Sequence, residues 1–175
     1  MRARQPLPRQ WLMTDPRMGE ALWDALERLP RGAGVVFRHY QLPPQERAAL
    51  FARVRRIARR RRLVLLVAGA RLPGADGRHG MRSAAPKQGL ATRPAHHRRD
   101  VVAARRDRVD AVFASPVFAT RSHPGAPALG RVRFGKMIRG AGIPVIALGG
   151  MDARRARSLA GFGVHGWAAI DAWTR

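Results

Sequence analysis

The sequence predicts an α/β fold, a single (β/α)8 TIM barrel spanning residues 1–175 as one domain. Three observations carry that expectation. Short apolar runs alternate with stretches of helical period, the pattern of parallel strands joined by crossover helices. The apolar run 144–148 ends in Gly149-Gly150, ahead of a helix that Asp152 can cap. A long loop rich in Pro, Gly and Ser, residues 115–130, follows a clear strand, and barrels carry function on such loops at their C-terminal face. With 175 residues the chain falls below the roughly 200 to 400 usual for this fold, so the barrel must be shortened.

Eight strands can be counted in order. The first covers residues 10–14 and the second 34–38, with a helix over 18–29 between them and Pro30, Gly32 and Gly34 punctuating the junction. A long helix over 44–62 begins with proline in its first turn, carries Leu50, Val54 and Ile57 on one face, and ends in four arginines that suit the negative end of its dipole. The third strand, 63–68, is apolar throughout, as a strand buried on both faces should be. Between Ala68 and Gly74 there is no room for a helix, so the crossover between strands three and four is expected to be reduced or missing. A fourth strand at 75–79, an irregular loop at 80–88 and a fifth strand at 89–92 follow, then a helix over 97–106 and the sixth strand, 109–114. After the long loop come a helix over 131–141, the seventh strand at 144–148, the capped helix, an eighth strand at 164–168 and a short terminal helix.

Composition narrows the function classes. The formal net charge is +23, and a charge of that size raises nucleic acid as a partner. The 34 basic residues, however, include only two lysines, Lys87 and Lys136, and the arginines run along the whole chain without interleaved aromatics. Arginine in excess of lysine, beside abundant alanine and glycine, is what a GC-rich coding sequence supplies, so a solvated basic surface is expected rather than a nucleic-acid groove. The absence of cysteine excludes disulfides, thiolate metal sites and cysteine nucleophiles. The apolar stretch near the N-terminus is only Trp11-Leu12-Met13, and no segment approaches the roughly 20 apolar residues of a membrane span, so a cytoplasmic protein without a membrane partner is expected.

Gly149-Gly150 has two readings: a tight strand-to-helix turn that needs positive φ, or a turn whose backbone N–H groups approach an anion closely at the positive end of a helix. Its place after a seventh strand is where barrels commonly hold a phosphate.

The motifs themselves resemble the thiamine phosphate synthase and TenI family. SPVFATRSHPGAPALG, residues 115–130, is similar to that family's loop Gly-Pro-x-Phe-x-Thr-x-Thr-Lys closing with Pro-x-Gly. PVIALGGMDARRARSLAGFGVHGWAAIDAW, residues 144–173, resembles its closing strands and phosphate turn. WLMTD at 11–15, VVFRHY at 35–40 and ADGRHG at 75–80 stand where the family has its first strand, its Gln-Leu-Arg-Glu-Lys motif and its Ala-Asp-Gly-Val-His-Leu strand. The likeness implies a thiazole phosphate as ligand, with a pyrimidine diphosphate as second substrate if the synthase reaction is retained. It implies substrate and phosphate binding by Arg38, Thr120, Ser122, Gly149, Gly150 and Ala168.

Departures from the family pattern shape the chemistry expected. The family's Asn-Asp after the third strand is Ala68-Gly69, and no Asp follows His79, so Mg²⁺ enters only if synthase chemistry survives and no metal ligands are assigned. The loop lysine falls on His123, and Asp171 stands in place of a serine near the phosphate. The TenI branch catalyses a metal-free thiazole tautomerisation by general acid–base chemistry, and a histidine can shuttle a proton near neutral pH. His123 and His39 are the candidate catalytic residues, with His96 a further strand-end histidine; the alternative is that these are solvated loop or helix-start residues. Three functions stay open: a synthase-like transferase or tautomerase, a non-catalytic ligand-binding or regulatory barrel, and, third, a nucleic-acid-binding protein. Homo-oligomerisation is left open as well.

Overall fold

In the computed structural model, which describes residues 6–80, 89–121, 125 and 127–174, each apolar run joins one parallel sheet that closes on itself. The strands are β1 (Gln10–Met13), β2 (Gly34–Phe37), β3 (Val64–Ala68), β4 (Gly77–His79), β5 (Leu90–Ala95), β6 (Ala111–Ala114), β7 (Val145–Leu148) and β8 (Gly166–Ala169). They pair in sequence order, and β1 pairs with β8 to close the ring. The helices are α1 (Ala21–Arg28), α2 (Pro44–Arg61), α3 (Arg98–Arg106), α4 (Gly130–Ile138) and α5 (Ala153–Arg157).

Side-chain alternation sets which residues fill the ring. Trp11 of β1 meets Phe113 of β6 edge-on at 5.2 Å, and His79 of β4 meets the same ring at 4.9 Å. None of these strand pairs are neighbours, so the three side chains point inward. The ladder then carries the inward register to Gly34, Leu66, Thr92, Ile146 and Ala168. Gly34 is small for a stated reason: a Cβ there would overlap the Trp11 indole. The outward register meets the helices, as where Phe37 packs edge-on at 5.4 Å against Phe51 of α2.

The shortened crossover is as expected. Residues 69–76 contain no helix, and polar groups tie this link down: Asp76 accepts a hydrogen bond from Leu65 N at 2.9 Å, while Arg47 of α2 donates to Ala68 O at 2.7 Å and Ala70 O at 3.0 Å. Arg47 heads the buried stripe of α2, Arg47, Phe51, Val54 and Ala58, whereas Leu50 and Ile57, expected on the core face, pack at its margin. A neutral stripe predicted by apolar count alone misses a buried guanidinium.

Several boundaries differ from expectation. The first helix is split: a 3-10 turn, Pro16–Met18, ends at Gly19 with φ 50°, and α1 begins only at Ala21. β4 begins at Gly77 rather than residue 75, because Asp76 bonds back to β3. β5 runs on through Pro94 to Ala95, where sequence reasoning stops at Thr92; Pro94 sits opposite Phe113 and Ala95 opposite Ala114. β6 and β8 start two residues late, at Ala111 and Gly166. α4 stops at Ile138, ahead of Gly140 and Gly142, and the terminal helix is a single 3-10 turn, Asp171–Trp173. The loop expected at 80–88 lies largely outside the described residues.

Candidate functional site

All eight strands are parallel, so their C-terminal ends meet at one mouth. At β7 the chain leaves Leu148 through Gly149 (φ 96°) and Gly150 (φ 59°). The chain after β6 lies directly over this turn: Val117 N donates to Leu148 O at 2.9 Å and Phe118 N to Gly149 O at 3.0 Å. A Cβ on Gly149 would come within 2.8 Å of Pro116 Cα, and one on Gly150 would overlap the Ala119 carbonyl oxygen. Glycine is therefore required twice, by backbone sign and by the approach of the overlying loop. Asp152 caps α5 by accepting from Arg155 N at 2.8 Å, as the sequence predicts. Arg155 then stitches the layers together, donating to Gly150 O while its guanidinium lies 5.0 Å over the Phe118 ring.

Thr120, Gly149, Gly150, Met151, Ile170 and Asp171 line a small cleft at this point. The Asp171 carboxylate is paired with Arg121 Nε at 3.1 Å. Arg17 reaches the same loop by donating to Arg121 O at 3.5 Å, and grips Asp15 with Nε at 2.7 Å and Nη2 at 3.2 Å. Burial raises the Asp15 carboxyl, but the bonds from Arg17 and the nearby charges of Arg17 and Arg38 outweigh it and hold the group below its ordinary value. A neighbouring cavity of about 370 Å³ opens between Arg17, Met18, Arg121 and Asp171. A separate cavity of about 360 Å³ lies on the outer wall, between Ala147, Ala156, Leu159 and Trp167. Arg9, Gln10 and Gly166 from the starts of β1 and β8 also line it.

Across the ring stands a second group. Arg38 follows β2 in the inward register, its backbone N–H donating to Thr14 Oγ1 at 2.9 Å. Its charge acts on Asp15, His39 and His79, which places it among them. His79 sits inward at the end of β4, its Nδ1 2.9 Å from Thr92 Oγ1. Burial, with a further push from Arg38, lowers it to about 4, so the imidazole is neutral at physiological pH.

The other predicted residues fall as follows. His39 is buried in the outward register, stacked on Phe37 at 5.0 Å, with Nδ1 3.1 Å from Thr14 Oγ1; burial lowers its pKa. His96 is held by Ser115, its Nδ1 3.1 Å from the carbonyl oxygen, and the backbone N–H groups of His96 and His97 both bond Asp100. Ala168 is fully buried opposite Trp11 and Leu148, beneath the cleft, while Ala169, Ile170 and Asp171 line it. Ser122 and His123 lie outside the described residues. Arg38 and the glycine turn thus share the mouth from opposite arcs, with β8 and β1 between them. Sequence reasoning missed His79, Thr92 and the Asp15–Arg17 pair. The available signal for His79 was parity: Gly77 and His79 share one face of β4, and only one of them is large.

The residues at the ends of β3 and β4 do not fit a divalent cation. Ala68, Gly69 and Gly80 offer no carboxylate, the Arg47 guanidinium occupies the Ala68 and Ala70 carbonyls, and among the described residues no group of three acidic, His or Cys side chains converges. No helix among the described residues is long and apolar enough to cross a membrane.

Fold and mouth together define a (β/α)8 barrel of the class whose sites stand at the C-terminal ends of the strands. The family model for thiamine monophosphate synthase, TMP-TENI, matches residues 11–173, and the chain belongs to that family. A relative from Aquifex aeolicus (strain VF5) that bears the name thiamine-phosphate synthase 2 is 29% identical, covering 94% of this chain and 97% of the relative. Among solved structures, thiamine phosphate pyrophosphorylase from Pyrococcus furiosus superimposes with a TM-score of 0.77 at 23% identity, over 94% of this chain and 86% of that one. The enzyme of that name from Bacteroides thetaiotaomicron gives 0.61 at 17% identity, over 95% and 84%. At these identities the structural likeness speaks for the fold.

Proposed function

We propose that this barrel binds a thiazole phosphate at its mouth and moves a proton on the ring without a metal, as a tautomerase of the TenI type rather than a full synthase. The observation that carries the reading is the Gly149-Gly150 turn, open at positive φ under the Pro116–Ala119 backbone and lining one cleft with Thr120. Gly149, Gly150, Thr120 and Ser122 take the phosphate, and Arg38 supplies the cation on the facing arc. Tautomerisation takes a proton from one ring carbon and returns one elsewhere, with no change of oxidation state. His123, which the family resemblance puts at the loop lysine, is one candidate for that transfer. His79 is the other: it is inward, neutral and held at Nδ1 by Thr92, which leaves Nε2 as the nitrogen for proton transfer. His39, on the outer register, holds β1 to β2 through Thr14 and is assigned a positioning role.

A second reading, a non-catalytic ligand-binding barrel, is favoured by one observation: Ala68 and Gly69 stand where the family resemblance calls for Asn-Asp, and the Arg47 guanidinium bonds the Ala68 carbonyl. In either case a pyrimidine diphosphate is not the expected partner, Mg²⁺ is not required, and a cytoplasmic setting fits a biosynthetic family.

Calorimetric titration with thiazole phosphate and with pyrimidine diphosphate, with and without Mg²⁺, separates the readings when paired with NMR detection of deuterium uptake by the thiazole. Metal-independent binding with ring deuteration supports the tautomerase; binding without deuteration supports the binder. Thiamine phosphate formation that depends on Mg²⁺ would overturn both.

A further inference from the structure

We propose that Arg17 is a positioning residue for the phosphate cleft, holding the loop after β6 where Thr120 joins Gly149 and Gly150. The inference rests on the reading that this cleft takes the phosphate. Local sequence fixes where Arg17 stands. It is the middle residue of the 3-10 turn Pro16–Met18, which Asp15 caps by accepting from Arg17 N at 3.0 Å and which ends at Gly19. Met18 is buried and seats that turn on the core. From there the guanidinium bonds in two directions. Nε and Nη2 take the two oxygens of Asp15 at 2.7 and 3.2 Å, and Nη1 is left to donate to Arg121 O at 3.5 Å, 104 residues along the chain. The fork is aimed by a carboxylate that is itself buried, so the reach to Arg121 is set by geometry rather than by a loose surface charge.

What Arg121 anchors is the short span that carries Thr120. On the near side of that span, Phe118 N donates to Gly149 O at 3.0 Å and Arg155 lies over the Phe118 ring. On the far side, Arg17 takes the Arg121 carbonyl and Asp171 takes the Arg121 side chain at 3.1 Å. The Asp15 bond raises the Arg17 pKa and the charge of Asp171 adds to it, which sets Asp171 beside both arginines. Ala119 and Thr120 are thus pinned at both ends above Gly150, whose missing Cβ leaves room for the Ala119 carbonyl. Arg17 does not line the cleft itself, whereas Thr120 and Asp171 do. Its contribution is to order the span before the ligand arrives, which spares the binding step that cost in conformational entropy.

The test is calorimetric titration of the full chain with thiazole phosphate and with the thiazole alcohol that lacks the phosphate. Arg17→Gln should weaken the phosphate ester about tenfold, the loss expected when one charge-assisted bond is removed, and leave the alcohol at its parental affinity. Arg17→Lys should do the same, because an ammonium can pair with Asp15 but lacks the fork that reaches Arg121 as well. Asp15→Asn keeps a cap on the turn and should lose a similar amount, since Arg17 is no longer aimed. Both Arg17 variants should melt close to the parent, an exposed ion pair being worth little to stability. Parental affinity for the phosphate ester in Arg17→Gln, recovery in Arg17→Lys, or equal losses for ester and alcohol would overturn the inference. A parent that binds the alcohol as tightly as the ester would overturn the phosphate reading, and this inference with it.

Discussion

Gly150 shows how one atom controls the mouth. A methyl group there meets the Ala119 carbonyl and a backbone of the wrong sign, so Gly150→Ala should displace the loop, cost about 1–3 kcal/mol in thermal melts and weaken thiazole phosphate binding about tenfold. Asp171 acts in the opposite sense. It lines the same cleft and occupies Arg121, so Asp171→Ser should release that cation and strengthen binding of inorganic phosphate several-fold, about 1 kcal/mol, in calorimetry. His79 supplies a pH prediction. Its folded pKa of about 4 lies below the unfolded 6.5, so the unfolded chain takes up the proton first on acidification. Stability from this group is complete above pH 6.5 and falls as pH drops towards 4, by about 3 kcal/mol in all. Denaturant midpoints for His79→Asn should be flatter across that window, and an NMR titration showing His79 protonated by pH 6 would contradict the lowered pKa. The glycine pair was legible in the sequence because its signal is local. His79 was not, because its neighbours Arg38, Thr92 and Phe113 are brought to it by three other strands.

At the scale of elements, α2 and the link after β3 form one unit. The chain dispenses with a crossover helix because Arg47, Asp76 and Arg78 satisfy the carbonyls and N–H groups that a helix would have covered. Arg47 is buried and bonds two carbonyls with two different nitrogens, a geometry lysine cannot reproduce. Arg47→Lys should cost about 1–3 kcal/mol and Arg47→Ala more, with faster hydrogen exchange confined to residues 64–78. The missing helix was readable from the short span between Ala68 and Gly74. The guanidinium at the head of the α2 stripe was not, since periodicity marks which positions face inward but not that a charged one finds carbonyls there. Strand ends slipped for a similar reason: the expected fifth strand stops at residue 92, yet β5 continues through Pro94 to Ala95.

For the whole molecule, closure is carried by the side chains that fill the ring. Trp11, fully buried and edge-on to Phe113, spans strands that never pair, so Trp11→Ala opens a central cavity and should cost about 3–5 kcal/mol in denaturant unfolding. Its effect should reach β6 as well as β1, detectable as lowered exchange protection in both strands. Alternation of apolar runs with helical stretches, the glycine turn after β7, the Asp152 cap and the deleted crossover were determined by the sequence alone, because each depends on residues within a few positions of one another. Which strand faces carry Arg38 and His79, and that His39 turns outward, were decided only by the tertiary structure. These follow from ring closure and register, which set residues far apart in the chain side by side.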